Sequence, residues 1–168
     1  SIDGETSALH FLSTKNAQVT EVHKFDSFDG TLSDGGKLNV AVDLSSVNTA
    51  IDIRNKRMQE MLFNVTKFAQ ATFEANLPES MMNLKSGQVV NGKVDGILML
   101  HGKAVPTSFA VKASKVDDDT LTVSTTSPTL IKAESFGLAE GVAALQKIAG
   151  LKSITTTVPV TFSVTFTQ

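Results

Sequence analysis

The chain has 168 residues, enough for one compact domain and too few for two sizeable cores. Hydrophobic residues make up 41% and charged residues 19%, which is a globular balance; the formal charge of −2, with no basic stripe, argues against a nucleic acid as partner. No apolar run is long enough for a membrane-spanning helix, and the lack of cysteine removes disulfides, thiolate metal ligands and a thiol nucleophile together.

All ten aromatic residues are Phe, with no Trp or Tyr. Surfaces that stack sugars or bases use rings with a polar edge, whereas Phe belongs in a dry interior, so this composition favours an apolar cavity. Residues 1–8 (SIDGETSA) are polar and carry no apolar h-region. Such a start fits a mature N-terminus after cleavage, or a domain cut from a longer chain.

From there the pattern is mostly period two, the signature of half-buried strands. Residues 8–12 and 18–25 have strand character, and residues 37–44 (KLNVAVDL) place Leu38, Val40, Val42 and Leu44 on one side. Residues 51–63 (IDIRNKRMQEMLF) break the alternation, with Ile51, Met58, Met61 and Leu62 near one helical stripe. Strands are expected again at 71–75, 92–100, 107–113 and 120–125. Residues 137–148 form a second helical excursion, with Leu138, Val142, Leu145 and Ile148 on a stripe and Gly150 as its stop. The last run is the clearest: Val158, Val160, Phe162, Val164 and Phe166 alternate with Pro159, Thr161, Ser163 and Thr165. Asp29-Gly30, Asp34-Gly35-Gly36, Ser86-Gly87 and Asn91-Gly92 supply turn chemistry, and Asp117 to Asp119 reads as an exposed turn without calcium-loop spacing. Eight or nine strands with two helical excursions in one domain, residues 1–168, point to a mainly β sandwich or barrel. A barrel of about eight strands is wide enough for one small ligand.

No catalytic pattern emerges. There is no G-x-S-x-G elbow and no phosphate-cradling glycine loop, and His10, His23 and His101 are spread through strands without metal-ligand spacing. The chain is therefore not expected to be an enzyme. The cluster Arg54, Lys56 and Arg57 reads as a solvated helix face, or as a mouth where Arg54 or Arg57 grips a polar or phosphorylated head group. Met58 and Met61 read either as core or as an adaptable wall around a floppy ligand.

Residues 43–73 (DLSSVNTAIDIRNKRMQEMLFNVTKFAQATF) resemble the signature stretch of the YceI-like family of polyisoprenoid-binding, lipocalin-like proteins. The matching pieces are Ser46-Val47-Asn48-Thr49, the segment Arg54 to Arg57, Leu62-Phe63, Lys67-Phe68 and Ala71-Thr72-Phe73. Phe25 to Thr31 resembles the family's Phe-x-x-Phe-x-Gly hairpin, Leu100 to Pro106 its Leu-x-His-Gly-x-x-x-Pro step, and Phe136-Gly137-Leu138 its Phe-Gly-Leu. The chain departs in having Ala69-Gln70 where a Pro often follows the Lys-aromatic pair, and Asn55 where an Asp is common.

The resemblance implies an extended antiparallel eight-stranded lipocalin-like barrel holding a long isoprenoid lipid, usually in the bacterial periplasm or secreted. The expected ligand is a polyprenyl phosphate or an isoprenoid quinone such as ubiquinone, carried or sensed without a required cofactor, with a homodimer sharing a long chain as one arrangement. The expected lining is Phe25, Phe28, Val40, Val42, Met58, Met61, Phe63, Phe73, Leu98, Leu100, Phe109 and Phe162, with Arg54 and Arg57 at the mouth. The alternative is a carbohydrate-binding or adhesion module accessory to an exported enzyme.

Overall fold

The computed structural model describes residues 1–167. Its strands are β1 (Ala8–Lys15), β2 (Val19–Phe25), β3 (Phe28–Leu32), β4 (Lys37–Asp43), β5 (Val47–Asn48), β6 (Gln70–Asn76), β7 (Val89–Leu100), β8 (Lys103–Asp117), β9 (Thr120–Thr125), β10 (Thr129–Lys132) and β11 (Thr157–Thr167). All pair antiparallel in one curled sheet, in the order β3-β4-β6-β7-β8-β9-β11-β1-β2-β5, with β10 also on β11.

The eleven segments are eight strands, three of them interrupted. β2 and β3 are halves of one strand bent at Asp26-Ser27: β2 pairs with β1, and β3 pairs with β4 on the other side. Asp26 donates its N–H to Ser46 O, and Ser27 accepts from the N–H of Asp43, so the bent strand draws the two ends of the sheet together. The N-terminal segment fills the remaining seam, with Ile2 bridging to Phe166 and donating to Gly30 O. β4 and β5 are separated by the short 3-10 turn Leu44–Ser46, where the Asp43 carboxylate accepts from Ser45 N–H. β9 and β10, broken before Pro128, pair with successive halves of β11.

The helical pieces are α1 (Asp52–Arg57), which runs on into a π-helical turn Met58–Phe63, then α2 (Glu79–Met82), a 3-10 turn Ala133–Phe136, and α3 (Ala139–Ile148). Asn64, in the left-handed region, ends the π-turn, and Gly150 (φ 66°) follows α3 as its stop. The segments 51–63 and 137–148 thus carry the two expected helical excursions; α2, a single turn after Pro78, was not anticipated.

Two turn assignments do not survive. Asp29-Gly30 lies inside β3 and Asn91-Gly92 inside β7, and neither glycine has a positive φ. Gly30 instead admits close neighbours: a Cβ there would stand 2.8 Å from Asn39 O and from the Ile2 side chain. The stretch resembling a Phe-x-x-Phe-x-Gly hairpin is accordingly the bent strand. A tight turn outside those assignments is His101-Gly102, both at positive φ, joining β7 to β8 through the pair Leu100 and Lys103.

Candidate ligand cavity

The cavity is built by alternation. Every second residue of β11, from Val158 to Phe166, faces the interior, and Leu38, Val40 and Val42 of β4 do the same from the far wall. Phe73 of β6, Val94, Leu98 and Leu100 of β7, Phe109 of β8, and Leu9 and Phe11 of β1 complete the ring. The space has a volume of about 230 Å³, within about 1450 Å³ of unfilled space counted out to the solvent, and its wall exposes only apolar atoms.

One end is filled. Met81 of α2 is fully buried and packs with Leu38, Leu77, Val94, Leu121, Val164 and Phe166. The other end is roofed by the π-turn and α3, which contribute Met58, Leu62, Phe63 and Val142 to the wall. Gly141 lets α3 approach, since a Cβ there would stand 2.8 Å from Met61 O. Between the two ends, three rings from three strands meet edge to face: Phe73 to Phe109 at 5.1 Å and Phe109 to Phe162 at 5.2 Å. Nearer the roof, Phe11, Phe25 and Phe63 form a second chain at 5.3 and 6.0 Å. Phe brings no polar atom to be left unpaired in so dry a space.

Polar chemistry gathers at the roofed end, beside the cavity. Arg54 Nη2 lies 2.9 Å from Glu21 Oε2 and donates to Thr49 O at 2.5 Å, while Lys15 Nζ lies 3.0 Å from Glu21 Oε1. Asn55 Oδ1 accepts from both the N–H and the hydroxyl of buried Thr49. Among the described residues, Arg54 Nε is buried without a hydrogen-bond partner. Hydrogen bonds from Lys15 and then Arg54 hold the Glu21 carboxyl below the usual range, and burial, followed by the Arg54 charge, lowers the pKa of His23. His23 packs edge-on against Phe11 at 5.4 Å. A separate polar cleft lined by Asp26, Asn48, Asp52, Lys56 and Gln59 runs outside α1 and shares no residue with the cavity.

All the apolar residues expected in the lining stand on the cavity wall except Met61. The 3.6-residue stripe fails there because the π-turn bonds i to i+5 and brings Met58, Leu62 and Phe63 to one face. Arg54 and Arg57 also lie off the wall, and the Arg54 guanidinium is engaged by Glu21 and Thr49. Ile51 and Ile148, placed on helical stripes by their spacing, are 47% and 50% exposed. Among the wall residues left out of the expected lining are Phe11, Leu38, Leu62, Val94, Val142 and Val164; the alternation of β1, β4, β7 and β11 and the stripe through Leu138 and Val142 were the available signals. Among the described residues, no three His, Cys, Asp or Glu side chains gather as a metal site.

Fold and cavity define a class: an antiparallel β-barrel hollow along its axis, apolar inside, plugged at one end and roofed by helical turns at the other. The chain belongs to the family of YceI-like domains, whose family model matches residues 1–166. It is similar to a polyisoprenoid-binding domain from Saccharophagus degradans implicated in plant cell wall breakdown, with 34% identity over 99% of this chain and 97% of that one and a TM-score of 0.95. Burkholderia cenocepacia BcnA shares the fold at 19% identity, 99% and 100% coverage and a TM-score of 0.74. The Campylobacter jejuni YceI protein does so at 17% identity, 92% and 90% coverage and a TM-score of 0.64. No curated protein matches the chain by sequence.

Proposed function

We propose that this domain binds a long isoprenoid lipid with its tail in the barrel, and carries or senses it without chemical change. The observation that carries the reading is the wall itself, apolar at every exposed atom from the Phe63 end to the Phe166 end. A polyisoprenoid tail is apolar along its whole length, and each 100 Å² of it removed from water contributes about 2.5 kcal/mol. The space is smaller than the roughly 300–1,000 Å³ of sites for compact ligands, which favours a slender chain and requires Phe and Met side chains to turn aside for a long one. The 34% identical Saccharophagus degradans domain, described as polyisoprenoid-binding, supports the same ligand class. The head group, a phosphate or a quinone ring, stays near the roofed end, and we place the protein in the bacterial periplasm or outside the cell on the family likeness. Sugar hydroxyls find no donor or acceptor on this wall, so the carbohydrate reading is not advanced.

Organic-solvent extraction of purified protein followed by mass spectrometry tests the proposal. A prenyl lipid recovered in stoichiometric amount, and saturable binding of added isoprenoid quinone, are expected. Repeated preparations without prenyl lipid, together with no binding of titrated quinones, would overturn it. Sedimentation with and without the extracted lipid shows whether a tail longer than the cavity draws two copies together.

A further inference from the structure

The roofed end of the barrel carries apolar side chains that its own packing does not use. Ile51 and Ile53, at the start of α1, are 47% and 55% exposed, and Ile148 at the end of α3 is 50% exposed. They sit on the segments that cover the cavity: the chain continues from Arg57 into Met58, Leu62 and Phe63 of the wall, and α3 packs on that same turn. The opposite end is plugged by Met81, so the roofed end is where an apolar ligand enters or leaves.

Charge is divided along the same axis. At the roofed end, the covering segments and the neighbouring strand ends bear Lys24, Lys56, Arg57, Lys67, Lys103, Lys132, Lys147 and Lys152 against Asp26, Asp43, Asp52, Glu60, Glu134 and Glu140. Lys15 and Arg54 are left out, being paired with Glu21. Hydrogen bonds tie these segments into one surface: Lys152 N–H to Asn16 Oδ1 at the β1–β2 tip, and His101 Nδ1 to Phe136 O at the β7–β8 tip. At the plugged end the balance reverses, with Asp3, Glu5, Asp34, Glu79, Asp117, Asp118 and Asp119 against Lys37, Lys85 and Lys115. A net charge of −2 thus conceals a basic face and an acidic face at opposite ends of the barrel.

We infer that the roofed end docks on an anionic lipid surface, with Ile51 and Ile53 seated among the head groups and Lys56 and Arg57 on the phosphates. An anionic bilayer attracts basic residues near its surface and repels the acidic pole, so the field that draws the molecule in also orients it. The orientation sets the cavity entrance against the layer that holds isoprenoid lipids, which spares the tail a passage through water. The direction of lipid transfer rests on the proposed function, but docking itself does not.

Flotation of the full chain with vesicles of equal parts phosphatidylglycerol and phosphatidylcholine, and with phosphatidylcholine alone, reads this directly. Binding to the anionic vesicles alone is expected, and it should disappear at about 1 M salt, where the Debye length falls to about 3 Å. The double reversal Lys56→Glu/Arg57→Glu should weaken binding at least tenfold, taking about fivefold per basic residue lost. Ile51→Ser/Ile53→Ser should weaken it at unchanged salt dependence. All four sites are exposed or half-buried, so each variant's melting curve should overlay the parent's and its quinone binding in detergent solution should persist. Equal binding to both vesicle types, or an equal loss from Lys37→Glu/Lys85→Glu at the plugged end, would overturn the inference. Vesicle binding by a protein that takes up no quinone would instead count against the proposed ligand and leave docking intact.

Discussion

Phe109 is the ring on which the two walls of the barrel lean, and its truncation is the most informative change to make. It is 7% exposed and touches Phe73 and Phe162 edge to face, at 5.1 and 5.2 Å. Phe109→Leu keeps an apolar side chain and loses both aromatic pairs, at about 0.5–1.5 kcal/mol each, or about 1–3 kcal/mol together. Phe109→Ala also opens a void that strands of a closed sheet cannot collapse to fill, and should cost about 3–5 kcal/mol. With a urea m-value of about 2 kcal/mol/M, that lowers the unfolding midpoint by about 1.5–2.5 M. The void widens the cavity at the three rings, between the part lined by Val94, Val164 and Phe166 and the part lined by Val158, Val160 and Leu100. Native mass spectrometry with isoprenoid quinones of graded tail length should therefore show Phe109→Ala shifting occupancy toward longer tails. A midpoint shift under about 0.5 M, or an unchanged tail-length preference, would refute the idea that this triad braces the walls and narrows the cavity.

Two further outcomes follow from the wall and its neighbours. His23 is buried beside Phe11 with a lowered pKa, so as pH falls below about 6.5 the unfolded chain takes up the proton first and stability declines until the lowered value is passed. His23→Phe should remove that decline, read as melting temperatures at pH 7 and 5.5. Further loss below about pH 4.5 belongs to the carboxylates whose pKa is lowered in the fold, Glu21, Asp117 and Glu134. Gly96→Ala should cost about 1–3 kcal/mol or more in thermal unfolding, because its Cβ would meet Glu74 O, the Ala75 Cβ and the Phe73 ring.

The strands that face a dry interior on one side were legible from the sequence, and β11 most of all. Its five apolar residues at period two all reached the cavity, because an antiparallel strand with one polar face has only one register that buries the other. The eight-strand expectation matches the barrel only when β2 with β3, β4 with β5 and β9 with β10 are joined, and nothing local in Asp26-Ser27 announces a bend that changes partner. Glycine misled at Gly30 and Gly92 because the same residue serves a turn or a crowded strand, and only the neighbours across the sheet decide which. The π-turn was hidden for a related reason: Met58, Met61 and Leu62 suit a regular helix, and the packing of α3 on that turn selects the wider one. Arg54 was visible as a residue of interest, but its partner Glu21 lies 33 positions earlier, beyond the reach of spacing rules.

β11 is the last strand of this domain yet stands in the middle of the sheet, flanked by β9 and β10 on one side and β1 on the other. Until residues 157–167 arrive, β1 and β9 have no common neighbour and the apolar faces of seven strands stay open to water. Closing the hollow therefore waits on β11 and is dominated by contacts between distant parts of this domain, which is the slow regime of folding. The barrel stays open until residues 157–167 dock, and a lesion there removes its keystone rather than its hem.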